Sequence, residues 1–240
     1  MKALLAQARV EVVLTLRRGE SVVLALGIPV LLLGFFSLVD VLPTGTGRPV
    51  DFLAPGVLAL AVMSTAMVGL GIATGFERQY GVLKRLGATP LGRPRLLWAK
   101  TMAILGVEAV QAVVLVVVAV ALGWHASVSL PGAVAGVLVA TVAFAGIGLV
   151  MAGTMRAEMV LAAANGLYVV LLLLGGMVVP LGKLPTGLRA FARLLPAAAL
   201  SDVLHASLGS GHGAAARAWL VLVAWAVVAP LAAAATFSWE

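Results

Sequence analysis

PGAVAGVLVATVAFAGIGLVMAG, residues Pro131–Gly153, carries no charged side chain along its length. At about 1.5 Å of rise per residue, such a stretch forms a helix that spans the roughly 30 Å hydrocarbon core of a bilayer. Five further apolar runs share this character: Ser21–Val39, Phe52–Thr74, Met102–Leu122, Met159–Val179 and Ala218–Phe237. Each is close to span length, so the sequence predicts an all-α integral membrane protein with six transmembrane helices. Composition agrees, with 62% of the 240 residues hydrophobic, 10% charged and a mean hydropathy of +1.15. A soluble domain carries about 25% charged residues, which excludes an ordinary water-soluble globular enzyme. The first run is read as a retained helix, because Glu11 and Glu20 precede it and Val39-Asp40-Val41 offers no small-residue cleavage site. Pro29 within it is tolerable, since neighbouring helices in a bundle satisfy the backbone groups a proline frees.

Alternate connections divide the sixteen Lys and Arg into eleven on the side of both termini and five on the other. The positive-inside rule then predicts a multi-pass cell-membrane protein with both termini cytoplasmic. The net charge of +7 is therefore a matter of orientation, and no nucleic-acid partner is expected. With no Cys, and with His125, His205 and His212 sharing no ligand spacing, no metal site and no thiol chemistry are expected. A phosphate cradle needs a glycine-rich loop followed by Lys and Ser or Thr. Gly182-Lys183 is followed by Leu184, and Gly69-x-Gly71 lies inside a span, so this chain is expected to bind no nucleotide and to catalyse nothing alone.

The expected organisation is a single transmembrane domain over 1–240, with 1–20, 75–100 and 181–214 outside the core of spans. In 1–20, Gln7, Glu11, Thr15 and Arg18 share one helical face and Leu5, Val12 and Leu16 lie roughly opposite, which predicts an interfacial helix. The connection 75–100 reads GFERQYGVLKRLGATPLGRPRLLWAK. A short helix over Glu77–Leu86 is expected there, capped by Gly87, with Pro90 and Pro94 keeping it apart from the third span. Its charge would serve a positive-inside anchor, yet the order of acidic-basic pair, Gly, Leu and Thr-Pro describes a shaped surface. In 181–214, Leu184, Leu188, Phe191 and Leu195 follow one helical face, as do Leu200, Leu204 and Leu208 after Pro196. Two short external helices are predicted, lying at or dipping into the outer interface, with 209–213 as a flexible return.

Polar groups inside the spans are few. Glu108 would cost on the order of 3 kcal/mol unless paired, solvated or protonated. Gln111 follows one turn later on the same face. The pair is either a polar patch on a substrate path or proton site, or a protonated Glu bonded to a neighbouring helix. Asn165 and Tyr168, one turn apart, face either a polar seam or interhelical hydrogen bonds. Phe35 and Phe36 complete the substrate-path candidates, with packing as their alternative role. Gly71-x-x-x-Gly75 and Gly132-x-x-x-Gly136 permit close helix contact.

The segment from Glu77 to Pro90 resembles the loop after the second span of ABC-2 type transporter permeases, where a charged pair, Gly, a basic helix, Leu and Thr-Pro follow in order. Gly175-Gly176-Met177-Val178-Val179-Pro180-Leu181-Gly182-Lys183-Leu184-Pro185, continuing to Leu194-Leu195-Pro196, is similar to that family's approach from the fifth to the sixth span. Gln79 departs from the pattern, standing where an acidic residue is frequent. The resemblance implies that Glu77, Arg78, Tyr80, Gly81, Lys84, Arg85, Leu86, Thr89 and Pro90 belong to a coupling helix docked on a separate ATPase. It also implies that Pro180, Leu184, Pro185, Leu188, Phe191 and Pro196 belong to a cap over a pathway between two permeases. It further implies two ATPase subunits holding ATP and Mg, a second permease chain, identical or homologous, and contact with membrane lipids. The expected function is ATP-driven export of a drug-like or lipid-like amphiphile by alternating access. The competing expectations are a secondary transporter or channel using Glu108 as a proton or ion site, and a membrane assembly or anchoring protein.

Overall fold

A computed structural model describes residues 19–39, 48–83, 93–125, 129–210 and 214–237, and every regular element among them is helical. The helices are α1 (Gly19–Leu38), α2 (Pro49–Gln79), α3 (Arg93–Ala121), α4 (Leu130–Thr154), α5 (Ala157–Leu174), α6 (Thr186–Ala192), α7 (Pro196–His205) and α8 (Ala216–Thr236). α2 contains a π-helical turn at Ser64–Gly69. α2, the Lys100–Ala121 part of α3, α4, α5 and α8 are long and apolar enough to cross a membrane. Among the described residues this makes five against the six expected spans, with α1 contributing the shorter apolar stretch Leu26–Leu38. The interfacial helix expected over 1–20 falls outside the described residues up to Arg18.

Helix ends follow local chemistry. Proline stands in the first turn of α2, α4 and α7, where its missing N–H costs nothing. α5 stops at Leu174, short of the expected Val179, because Gly175 and Gly176 turn the chain, Gly176 at φ +67°. α2 runs past the expected Thr74 to Gln79 and ends before Gly81, which sits at φ +70°. This corrects the helix expected over Glu77–Leu86. Glu77 and Arg78 finish the long α2, and the chain turns at Tyr80-Gly81. Pro94 likewise does not separate the connection from the following span; it lies in the first turn of α3.

α4 is the centre of the bundle, with Ala140, Ala143, Phe144 and Ala152 fully buried. In lipid there is little hydrophobic drive between helices, so close backbone packing carries association. Gly146 faces the α8 backbone and Gly148 faces α2: a Cβ on either would come within 2.6 Å of Ala229 C and Pro230 N, or of the Met67 carbonyl oxygen. Both small-residue motifs are used inside the chain. Gly71 meets Gly148 and Gly75 meets Ala157 and Val160, while Gly132 and Gly136 receive Ser207 and Val203.

The two short helices after α5 have different environments. α6 exposes Leu188, Phe191 and, just beyond its end, Leu194. α7 does not lie along a surface: Ala197, Ala198, Leu200 and Val203 are fully buried and Leu204 nearly so. It is inserted among α2, α4 and α8. Polar bonds hold it there. Ser201 Oγ donates to the Gly176 carbonyl at 3.0 Å, and the His205 ring nitrogens lie 2.8 Å from the Ser201 carbonyl and 3.0 Å from the Phe52 carbonyl. Burial pulls the His205 imidazole below its ordinary pKa, and the two carbonyls oppose that pull.

Candidate functional site

The last turn of α2 carries three polar side chains in succession. Adjacent residues on a helix are about 100° apart, so Glu77, Arg78 and Gln79 point in different directions, each toward a different neighbour. Glu77 Oε2 lies 2.6 Å from Nζ of Lys100 on α3, an ammonium only 4% exposed. The Arg78 guanidinium donates to the carbonyls of Gly153 and Met155, at the C-terminal end of α4. A cation there satisfies orphan carbonyls and complements the negative end of the helix dipole. Gln79 Nε2 donates to Glu158 Oε1 at 2.9 Å, on the first turn of α5. The end of α2 is thereby tied to three other long helices immediately before the chain enters the 84–92 connection.

Tyr80 is exposed and stacks on Phe76, ring centroids 6.1 Å apart. Gly81 then adopts the left-handed conformation that turns the chain, with nothing within 4 Å of where a Cβ would stand. Gly81→Ala is therefore a test of backbone conformation alone: it should cost about 1–2 kcal/mol, read as a lower melting temperature. Of the other coupling candidates, Lys84, Arg85, Leu86, Thr89 and Pro90 lie outside the described residues.

The intramembrane candidates separate into two groups. Glu108 and Gln111 are buried, 4% and 1% exposed, inside the bundle. Gln111 Oε1 accepts from Thr65 in the π-helical turn of α2 at 2.9 Å. Thr141 Oγ on α4 lies 2.6 Å from Glu108 Oε2 and 2.8 Å from the Val137 carbonyl. Its single proton serves one of these acceptors, so a proton on Glu108 would complete both bonds. The other Glu108 oxygen is buried without a partner. Asn165, by contrast, is exposed and donates to the Leu161 carbonyl of its own helix at 2.7 Å. Tyr168, on the same helix, is half-buried and packs at the edge of the core. Phe35 and Phe36 meet edge to face at 5.2 Å, with Phe35 more than half exposed.

Of the cap candidates, Pro196 is buried at the start of α7, Leu188 and Phe191 are exposed on α6, and Pro180, Leu184 and Pro185 shape the intervening turns. Arg189 steadies that segment by donating to the carbonyls of Gly182 and Leu184 at 2.7 and 2.9 Å. The partners Lys100, Glu158, Thr65 and Thr141 carry no local signal in the sequence. Each looks like an ordinary flanking charge or span hydroxyl until the fold brings its partner near.

Residues 2–208 match the profile of the ABC-2 type transporter family. The chain is also 29% identical over 200 residues to ABC transporter G family member 20 of Dictyostelium discoideum, an alignment that takes in 78% of this chain. The same alignment covers 27% of that longer protein. A helical bundle of apolar spans, a polar fan at the foot of the 84–92 connection, and a family match over nearly the whole length together place this chain in the ABC-2 type transporter family.

Proposed function

We propose that the chain is the permease subunit of an ATP-driven exporter that moves a drug-like or lipid-like amphiphile out of the cell by alternating access. In this proposal α1 completes six spans, both termini are cytoplasmic in the cell membrane, and the permease pairs with an identical or homologous chain. Two copies of a separate ATPase supply the ATP and Mg chemistry. The observation that carries the proposal is the fan of Glu77, Arg78 and Gln79 bonds from the end of α2 to α3, α4 and α5. A displacement of the connection by the ATPase is delivered to four long helices at once, because bonded helix ends move as one body.

The test is ATPase activity of the permease in lipid with its partner ATPase. Arg78→Ala should lose most of the permease-dependent activity, and Glu108→Gln should retain it within about twofold, since Gln preserves the acceptor that faces Thr141. A second reading, proton- or ion-coupled transport through Glu108, is favoured by the buried, unpartnered Glu108 oxygen. It predicts the reverse pattern: flux lost in Glu108→Gln, indifferent to Arg78→Ala and to ATP.

A further inference from the structure

At the end of the bundle away from the 84–92 connection, Arg193, Ala199, Asp202, Ala215, Arg217 and Ala218 line an open cleft of about 220 Å³. Its charges come from three elements: Arg193 just after α6, Asp202 on the outward side of the buried α7, and Arg217 in the first turn of α8. Arg217 Nη2 donates to the Arg193 carbonyl at 3.2 Å, which joins the two basic walls. Among the described residues, neither guanidinium has a carboxylate within 4.0 Å. α8 starts at the same cleft without a side-chain cap, its Ala218 N–H donating to the Ala215 carbonyl at 2.8 Å. The walls around Asp202 push its carboxyl above the ordinary range, and His205, Arg193 and Arg217 offset only part of that.

Such a cleft discriminates by charge pattern. A purely anionic group would satisfy the arginines and meet the Asp202 carboxylate. A purely cationic group would do the opposite. A phosphate with an ammonium a few ångströms away matches both, the phosphate against the guanidinium forks and the ammonium against Asp202. What lies below the cleft selects the form in which that group arrives. Leu220, Ala224, Val227, Val228 and Leu231 continue the helical face of Arg217 along α8, and all are exposed, Leu220 by 71% and Leu231 by 64%. From Arg217 to Leu231 this apolar track is about 20 Å long, enough to accompany an acyl chain through one leaflet.

We propose that this cleft binds the headgroup of an aminophospholipid, with Arg193 and Arg217 on the phosphate, Asp202 on the ammonium and an acyl chain along the Arg217 face of α8. The site is independent of ATP coupling and can be tested without the ATPase. The full chain is placed in nanodiscs of equal phosphatidylethanolamine, phosphatidylcholine and phosphatidylglycerol, and retained lipids are counted by native mass spectrometry after release. Phosphatidylethanolamine should be retained about threefold or more over phosphatidylglycerol, as expected of accessible ion pairs. Arg193→Ala with Arg217→Ala should bring the retained mixture to the bulk composition. Asp202→Asn should keep lipid bound while the ethanolamine-to-glycerol ratio falls toward one. Free phosphoethanolamine at millimolar concentration should leave the retained lipid unchanged; displacement by it would assign the cleft to a soluble phosphate ester and overturn the lipid proposal. Retention by the wild-type chain at the bulk ratio overturns it without reliance on any variant, and is also the outcome if a second copy of the chain covers the α8 track.

Discussion

Glu77→Gln is expected to lower stability by roughly 3 kcal/mol, because it takes the carboxylate from an ammonium that the bundle buries. Breaking one side of a buried ion pair costs more than removing both charges together, which is often close to neutral. The pair Glu77→Leu with Lys100→Met should therefore regain most of the melting temperature lost by Glu77→Gln. Coupling separates stability from transmission. If the bond merely holds the fold, the double variant should also recover permease-dependent ATPase activity. If it transmits movement from α2 to α3, as proposed, stability returns and activity stays low. Arg78→Ala should act similarly through α4, since it strands the Gly153 and Met155 carbonyls and removes two charge-assisted bonds, each worth about 1.5–3 kcal/mol. Gln79→Ala should be much milder, for its bond to Glu158 is exposed to solvent.

Gly56→Ala is the second large effect, and it acts at the opposite end of α2. A Cβ there would stand 1.9 Å from the Met177 carbonyl oxygen and 2.8 Å from its carbon. Both atoms are backbone, so no side-chain rotation relieves the clash, and a cost of about 3 kcal/mol or more is expected. The damage should spread to α7, because the neighbouring Gly176 carbonyl accepts the Ser201 hydroxyl that anchors that helix. Gly166→Ala is the matched control: it lies within α5 with nothing within 4 Å, so the change should be neutral or stabilise by up to about 1 kcal/mol. Thermal unfolding of the two variants in the same detergent or lipid decides the matter. Equal melting temperatures would mean that α2 and the turn after α5 are not packed as described.

The spans were legible because a bilayer imposes one length and one polarity on any helix that crosses it. The expected Pro131–Gly153 run appears as Leu130–Thr154, and Ala218–Phe237 as Ala216–Thr236. Errors cluster at the ends, where hydropathy stops informing and backbone conformation takes over. Thr74 gave way to Gln79 because the chain stays helical until Gly81 permits a turn, and Val179 gave way to Leu174 because Gly176 permits one earlier.

The short helix α7 shows a different limit. Leu200, Leu204 and Leu208 mark one apolar face of a short helix expected to lie at or dip into the outer interface. Ala197, Ala198 and Ala199 complete its burial. Alanine adds little to the contrast between an oily and a polar face, yet its small side chain lets backbones approach, so hydropathy understates how a helix lined with it packs.

Composition and order in the chain were enough to establish helical spans, an expected orientation and the family. Those properties depend on local lengths and residue types. Folding in three dimensions was needed to find that Arg78 closes on carbonyls 75 and 77 residues away, that Gln79 meets Glu158 at a separation of 79, and that Glu108 meets Thr141. It also assembled the Arg193, Asp202 and Arg217 cleft from three separate elements. Contacts of that kind depend on which helices can approach at glycine and alanine and in which register they cross. Periodicity along one helix carries no information about that register.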